Sequence, residues 1–384
     1  MSAYYPQFCR SSLLPRNVWG FAESRFGSIF ISMALSPPQP SRGSENIVSI
    51  LGKVALTAAT VIAARKLFSI KANRPPLDLH DKVVLITGGS RGLGFALAQD
   101  MGRRGSRLAL CARDQSELDE ACKRLAEEQI EAVPFICDVT SQPEITTLVE
   151  RVIERFGRID ILINNAGYIK VGPFDSFEHA EYERAMDLMF WAPVNLTLTV
   201  LPHMQKQGAG HVVNITSVGG RVSIPHLLPY SCAKFALVGF STGLSAETKF
   251  KGIHVLTVVP GLMRTGSYLN AEFAGEAKEE FAWFSLLGNL PGFSVAADYA
   301  ADCIRRAIET EQYTCTISLP AKLLIASETL LPEATRTICA AVNQVLPAGA
   351  ARDATPGKPL NSQFGKMYQA LTVLGRCAAL DLNE

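Results

Sequence analysis

Val83-Val84-Leu85-Ile86-Thr87 is an unbroken apolar run with β-branched residues, the pattern of a strand buried on both faces. A glycine-rich stretch, Gly88 to Gly94, separates it from a helical pattern at Phe95 to Arg104. The same alternation then repeats. Apolar runs at Leu108–Ala112, Ala132–Cys137 and Asp160–Ile163 are interleaved with helical patterns at 115–129 and 142–156. Further along, helices at 181–206, from Tyr230 onward and at 295–311 alternate with strands at Val255–Val259 and Thr314–Ile317. Repeated strand–helix–strand units predict an α/β fold built on a doubly wound parallel sheet with right-handed crossovers. Ligands of such sheets bind beyond the carboxyl ends of the strands.

Outside this pattern the chain changes character. Residues 1–44 hold four arginines, many serines and one acid, Glu23, which reads as an organelle transit peptide, a disordered leader, or an extension upstream of a start at Met33. Residues 45–74 are predicted as an anchor. Their apolar stretch 47–64 is at the short limit for a span and carries Lys53, so a single span, an interfacial helix and a helix docked on the protein's own surface all remain open. Residues 80–318 form the main domain and 319–384 a helical extension. Within the extension, Leu319–Ile325, Leu330–Pro332 and Ile338–Val342 read as short amphipathic helices broken at Pro332. These would cap a substrate mouth, extend a dimer, touch a membrane or pack back on the domain. Residues 348–365 are Gly-, Pro- and Ala-rich and predict a loose linker, and 366–381 a weak terminal helix.

Composition narrows the function. A net charge of +1 gives no electrostatic footprint for nucleic acid. Nine scattered cysteines without a Cys-x-x-Cys pattern read as reduced thiols in a reducing compartment: the cytosol, or a mitochondrial or plastid interior if residues 1–44 are a transit peptide. The six histidines have no metal-ligand spacing, and no metal is assigned.

The chemistry concentrates in two places. Gly88, Ser90, Arg91, Gly92, Leu93 and Gly94 lie between a strand and a helix, where glycines admit backbone amides to a pyrophosphate and the helix N-terminus adds partial positive charge. The next strand ends in Ala112-Arg113 rather than an acid. Arg113 with Arg91 favours a 2′-phosphate, hence NADP over NAD, while Asp114 falls one residue late for a ribose contact. Tyr230 and Lys234, four apart, share one helix face. A nearby ammonium lowers a phenol's pKa and turns it into a usable acid/base. Ser217 precedes them on a strand, positioned to hydrogen-bond a substrate oxygen.

From Thr87-Gly88-Gly89-Ser90-Arg91-Gly92-Leu93-Gly94 through Asp138-Val139, Asn164-Asn165-Ala166-Gly167, Ser217, Tyr230 with Lys234, and Pro260-Gly261-Leu262-Met263-Arg264-Thr265, the chain resembles the short-chain dehydrogenase/reductases over 82–318. The resemblance implies a Rossmann-type sheet of about seven strands with helices on both faces. It implies Tyr230 as acid/base, Ser217 as the residue positioning the reacting carbonyl or hydroxyl, and Lys234 as holder of the nicotinamide ribose. Asp138 and Val139 would meet the adenine, and Asn165, Ala166 and Gly167 the adenosine. Pro260, Gly261 and Thr265 would enclose the nicotinamide. A homodimer or homotetramer follows from the same likeness. One position departs: Met189 stands where many members carry a relay asparagine, and a thioether cannot relay protons. Between 262 and 293, Tyr268, Phe273, Phe281, Trp283, Phe284 and Phe293 suggest either an apolar substrate or ordinary core. Two functions stand at this point: a carbonyl–alcohol oxidoreductase, or a non-catalytic nucleotide-binding scaffold of the same fold.

Overall fold

β1 (Val83–Thr87) is buried along its whole length because it has a parallel neighbour on each side and helices above and below. The computed structural model describes residues 75–349 and 351–384; the expected leader and anchor lie outside the described residues. After the glycine turn come α1 (Gly92–Gly102), β2 (Arg107–Ala112), α2 (Gln115–Glu127), β3 (Ala132–Ile136), α3 (Gln142–Phe156) and β4 (Ile161–Asn164). Then follow the short β5 (Lys170–Val171), α4 (His179–Met186), a π-turn at Asp187–Trp191, α5 (Ala192–Gln207), β6 (Gly210–Ile215), α6 (Leu228–Thr248) and β7 (Ile253–Pro260).

Beyond β7 lie β8 (Leu262–Arg264), β9 (Glu272–Phe273), α7 (Ala277–Asn289), β10 (Ser294–Ala296), α8 (Ala297–Glu309) and β11 (Thr314–Ile317). The extension supplies α9 (Leu319–Leu330), α10 (Pro332–Asn343), β12 (Thr355–Pro356), α11 (Gly357–Asn361), α12 (Lys366–Leu371) and α13 (Val373–Asp381). The main sheet has seven parallel strands in the order β3-β2-β1-β4-β6-β7-β11. Its order reverses between β1 and β4, which opens the ligand crevice at their carboxyl ends. Separate apolar cores fill the two faces. Leu97, Leu110 and Ile304 belong to one, and Val149, Leu162 and Val200 to the other.

Three expectations change. The helix expected at 181–206 is interrupted by the π-turn, in which Met189 is buried. The segment 348–365 is no loose linker: Thr355 and Pro356 pair with β9, and the Gly357 amide donates to the Ala271 carbonyl at 2.9 Å. The aromatics of 262–293 are mostly core. Tyr268, Phe273, Phe281 and Phe284 are buried with Leu360, Phe364 and Tyr368 packed against them, and only Phe293 is exposed. Among the described residues, no helix is long and apolar enough to cross a membrane.

Candidate active site

The end of β1 and the end of β4 are tied together by side chains that the sequence already marked. The Asn165 and Ala166 amides both donate to the Thr87 hydroxyl, at 2.9 and 3.0 Å, and the Asn165 side-chain amide donates to the Thr87 and Gly88 carbonyls. Asn165 therefore braces the glycine turn. Gly88 and Gly92 have φ of +61° and +57°, a region open to glycine at little cost. At Gly94 the constraint is space: a Cβ there would collide with the Gly88 carbonyl oxygen. Leu93 is buried, and Ser90 turns its hydroxyl to Glu117. Gly167 lies against Met189, whose sulfur is 3.6 Å from where a Gly167 Cβ would stand.

Arg113 is exposed at the end of β2. Asp114 is engaged elsewhere, its carboxylate accepting from the Glu117 amide at 3.0 Å as the N-cap of α2. Arg91 donates to Glu117 at 2.7 Å and lies 3.8 Å from Glu384. Neither glutamate was singled out from the sequence, because both reach the turn only through folding. Asp138 caps its own loop, accepting from the Thr140 amide and hydroxyl at 2.9 and 2.7 Å. Burial favours its neutral form, but these donors outweigh it and hold the carboxyl below its usual range. Val139 and Ala166 line one small cleft with Thr87 and Leu188. On the other flank, Pro260 closes β7, Gly261 donates its amide to the Ile317 carbonyl, and Thr265 is buried.

Ser217 follows β6 and begins a short turn, its hydroxyl accepting from the Gly219 amide at 3.0 Å. Tyr230 lies in the first turn of α6, Pro229 having fixed the entry geometry. Its ring edge would be 3.3 Å from a Cβ at Gly219, so loop and phenol are in close contact. One turn on, the Lys234 ammonium lies 5.7 Å from the Tyr230 ring centroid and donates to the Ile215 carbonyl at 2.9 Å. Burial pushes the Lys234 pKa down to about 8. The sequence expectation for Tyr230 is corrected in direction. Burial pushes the phenol above its usual value and outweighs the adjacent Ser217 hydroxyl, which pulls it down. The three side chains come together beside the carboxyl end of β6.

Met189 is buried with Ala185 and Ala233 in a small apolar cluster against which Tyr168 and Tyr230 pack, so the position that the sequence marked as unable to relay protons is an apolar one. Two features have no sequence signal. His226, with φ of +63°, and Glu280 form a buried pair at 2.7 Å, and Trp283 donates to the same carboxylate at 2.6 Å, fastening α7 to the loop before Tyr230. The last described residues lie on the glycine turn. The Gly92 amide donates to the Leu382 carbonyl at 2.8 Å, and Asn383 donates to the Ser90 carbonyl at 2.9 Å. Burial pushes the Glu384 carboxyl up to about 7, with Arg91 and Asn270 pulling the other way.

The glycine cradle, the two arginines and the buried lysine suit a dinucleotide, although residues 382–384 occupy the cradle in this conformation. Residues 82–272 match the family described as short chain dehydrogenase. A putative ketoacyl reductase of Streptomyces coelicolor is 37% identical over 186 residues, which is 48% of this chain and 71% of that protein. A solved short-chain dehydrogenase from Streptomyces avermitilis superposes with a TM-score of 0.60 at 31% identity, covering 69% of this chain and 98% of that one. An actinorhodin polyketide ketoreductase solved with NADPH gives 0.55 at 30% identity, over 62% and 96%.

Proposed function

This chain belongs to the short-chain dehydrogenase family and is an oxidoreductase of the carbonyl–alcohol couple, and we propose that it works with NADP(H) on an apolar substrate, with Tyr230 exchanging the proton. The observation that carries the reading is the convergence of Ser217, Tyr230 and Lys234 beside the carboxyl end of β6. When bound, a reduced nicotinamide supplies a hydride, that is, two electrons and a proton equivalent, to the carbonyl carbon. The Ser217 hydroxyl holds the carbonyl oxygen, and Tyr230 gives its phenolic proton to that oxygen as the C=O π bond breaks. Because burial raises the phenol's pKa, Tyr230 is protonated at neutral pH and ready to donate. Lys234, still cationic at pH 7, would bind the nicotinamide ribose and stabilise the phenolate left behind. With Met189 buried at the relay position, the phenol regains its proton from solvent by another route.

Gly88, Ser90, Arg91, Gly92, Leu93, Gly94 and Arg113 would hold the phosphates, Asp138, Val139, Asn165, Ala166 and Gly167 the adenosine, and Pro260, Gly261 and Thr265 the nicotinamide. The NADP preference rests on Arg91 and Arg113, and on Asp114 being spent as a helix cap. The apolar-substrate reading is supported by the two apolar clusters that Tyr230 packs against, one containing Leu227 and Phe281 and the other Met189 and Ala233. Exposed Trp191, Leu198 and Phe235 on the α5 and α6 side support a homodimer or homotetramer. Exposed Leu323, Leu330, Leu331 and Ile338 on α9 and α10, with the apolar stretch 47–64, support contact with a membrane.

The test is a screen of ketones and aldehydes with NADPH and, in parallel, NADH. Tyr230→Phe should lower turnover about 100-fold or more while NADPH binding persists. A variant with full activity would remove Tyr230 from the chemistry.

A further inference from the structure

The amide of Gly92, the first residue of α1, already has a partner. It donates to the Leu382 carbonyl at 2.8 Å, while Asn383 donates to the Ser90 and Glu117 carbonyls at 2.9 and 3.3 Å. A Glu384 carboxylate oxygen stands 2.5 Å from where a Gly92 Cβ would be, the other bonds Asn270, and the side chain is only 5% exposed. Leu382 is buried in the sheet core, and Arg124 donates to the carbonyls of Leu380 and Asp381 at 3.3 and 2.5 Å, so the segment is docked at several points. The Leu382 carbonyl thus takes a donor, and the Glu384 carboxyl the space above Gly92, that a pyrophosphate would use. One N–H cannot serve both at full strength, and the volume above Gly92 cannot hold both.

We propose that residues 382–384 are an intramolecular competitor of the dinucleotide, so that Asn383 and Glu384 set the affinity of this site for its cofactor. This rests on the dinucleotide-binding reading above. Binding requires the segment to leave the glycine turn, and the apparent affinity is the intrinsic one reduced by the fraction of molecules in which it has left. Leaving also frees Arg91 from Glu384, so the arginine assigned to the 2′-phosphate becomes more available once the competitor has gone.

The test compares the full chain with a chain ending at Asp381 and with the full-length double variant Asn383→Ala, Glu384→Ala. The double variant keeps Leu382 in the core in case the shortened chain does not fold. NADPH is titrated by its own fluorescence, and hydrogen exchange is followed over residues 376–384 with and without saturating NADPH. The expected result is an apparent Kd lower by about tenfold, the factor for a site open about a tenth of the time, with exchange in 376–384 faster when NADPH is bound. An unchanged or weaker affinity in the double variant, or slower exchange on binding, overturns the competition and leaves the oxidoreductase reading intact. If none of the three proteins binds NADPH or NADH, both the competition and the cofactor reading fall.

Discussion

Lys234 is where stability and chemistry pull apart. Its ammonium is 4% exposed, its hydrogen bond goes to the Ile215 carbonyl at 2.9 Å, and burial lowers its pKa from 10.5 to about 8. At about 1.4 kcal/mol for each tenfold change in a proton equilibrium, that displacement disfavours the charged fold by about 3 kcal/mol. The sign follows from proton counting. Between pH 8 and 10.5 the unfolded chain holds the proton and the fold does not, so stability rises with pH across that window. Below about pH 8 the penalty is complete. Lys234→Met keeps much of the stem's apolar packing and removes the charge, at a loss of about 1 kcal/mol for the hydrogen bond to Ile215. The variant should therefore be more stable than the parent by about 2 kcal/mol at pH 7. That gain should shrink as the pH rises above 8 and turn into a loss of about 1 kcal/mol above pH 10.5, while turnover drops throughout. Urea unfolding followed by tryptophan fluorescence at several pH values reads both the size and the slope. A variant less stable than the parent at pH 7, or a gain independent of pH, would show that the ammonium is not held at a desolvation cost.

Two further outcomes test the frame around the site. Gly94→Ala should destabilise by about 2 kcal/mol or more, since its Cβ meets the Gly88 carbonyl and the Asn165 amide, whereas Gly239→Ala, in open space on α6, should stabilise by about 0.5–1 kcal/mol. Thermal melts of both report the contrast; equal shifts would contradict the packing. His211, whose pKa burial lowers from 6.5 to about 4, should make stability fall as pH drops through that range, by up to about 3 kcal/mol when fully protonated. His211→Gln should flatten that slope in acid unfolding, and an unchanged slope would place the acid sensitivity elsewhere.

The strands, the glycine turn and the Tyr230–Lys234 pair were legible along the chain because each depends on local order. An apolar run such as Val83–Thr87 states its own burial, and a four-residue spacing states a shared helix face. Where a motif's environment comes from distant residues, local pattern is silent. Glu117 on Arg91, Glu280 beneath His226, Phe364 and Tyr368 over Phe281, and Leu382 on Gly92 are joined across 26, 54, more than 80 and 290 positions. Such contacts have no period to read. The direction of the Tyr230 pKa belongs to the same class: the sequence supplies the nearby ammonium, but desolvation is a sum over every atom that excludes water, and only the packed chain determines it.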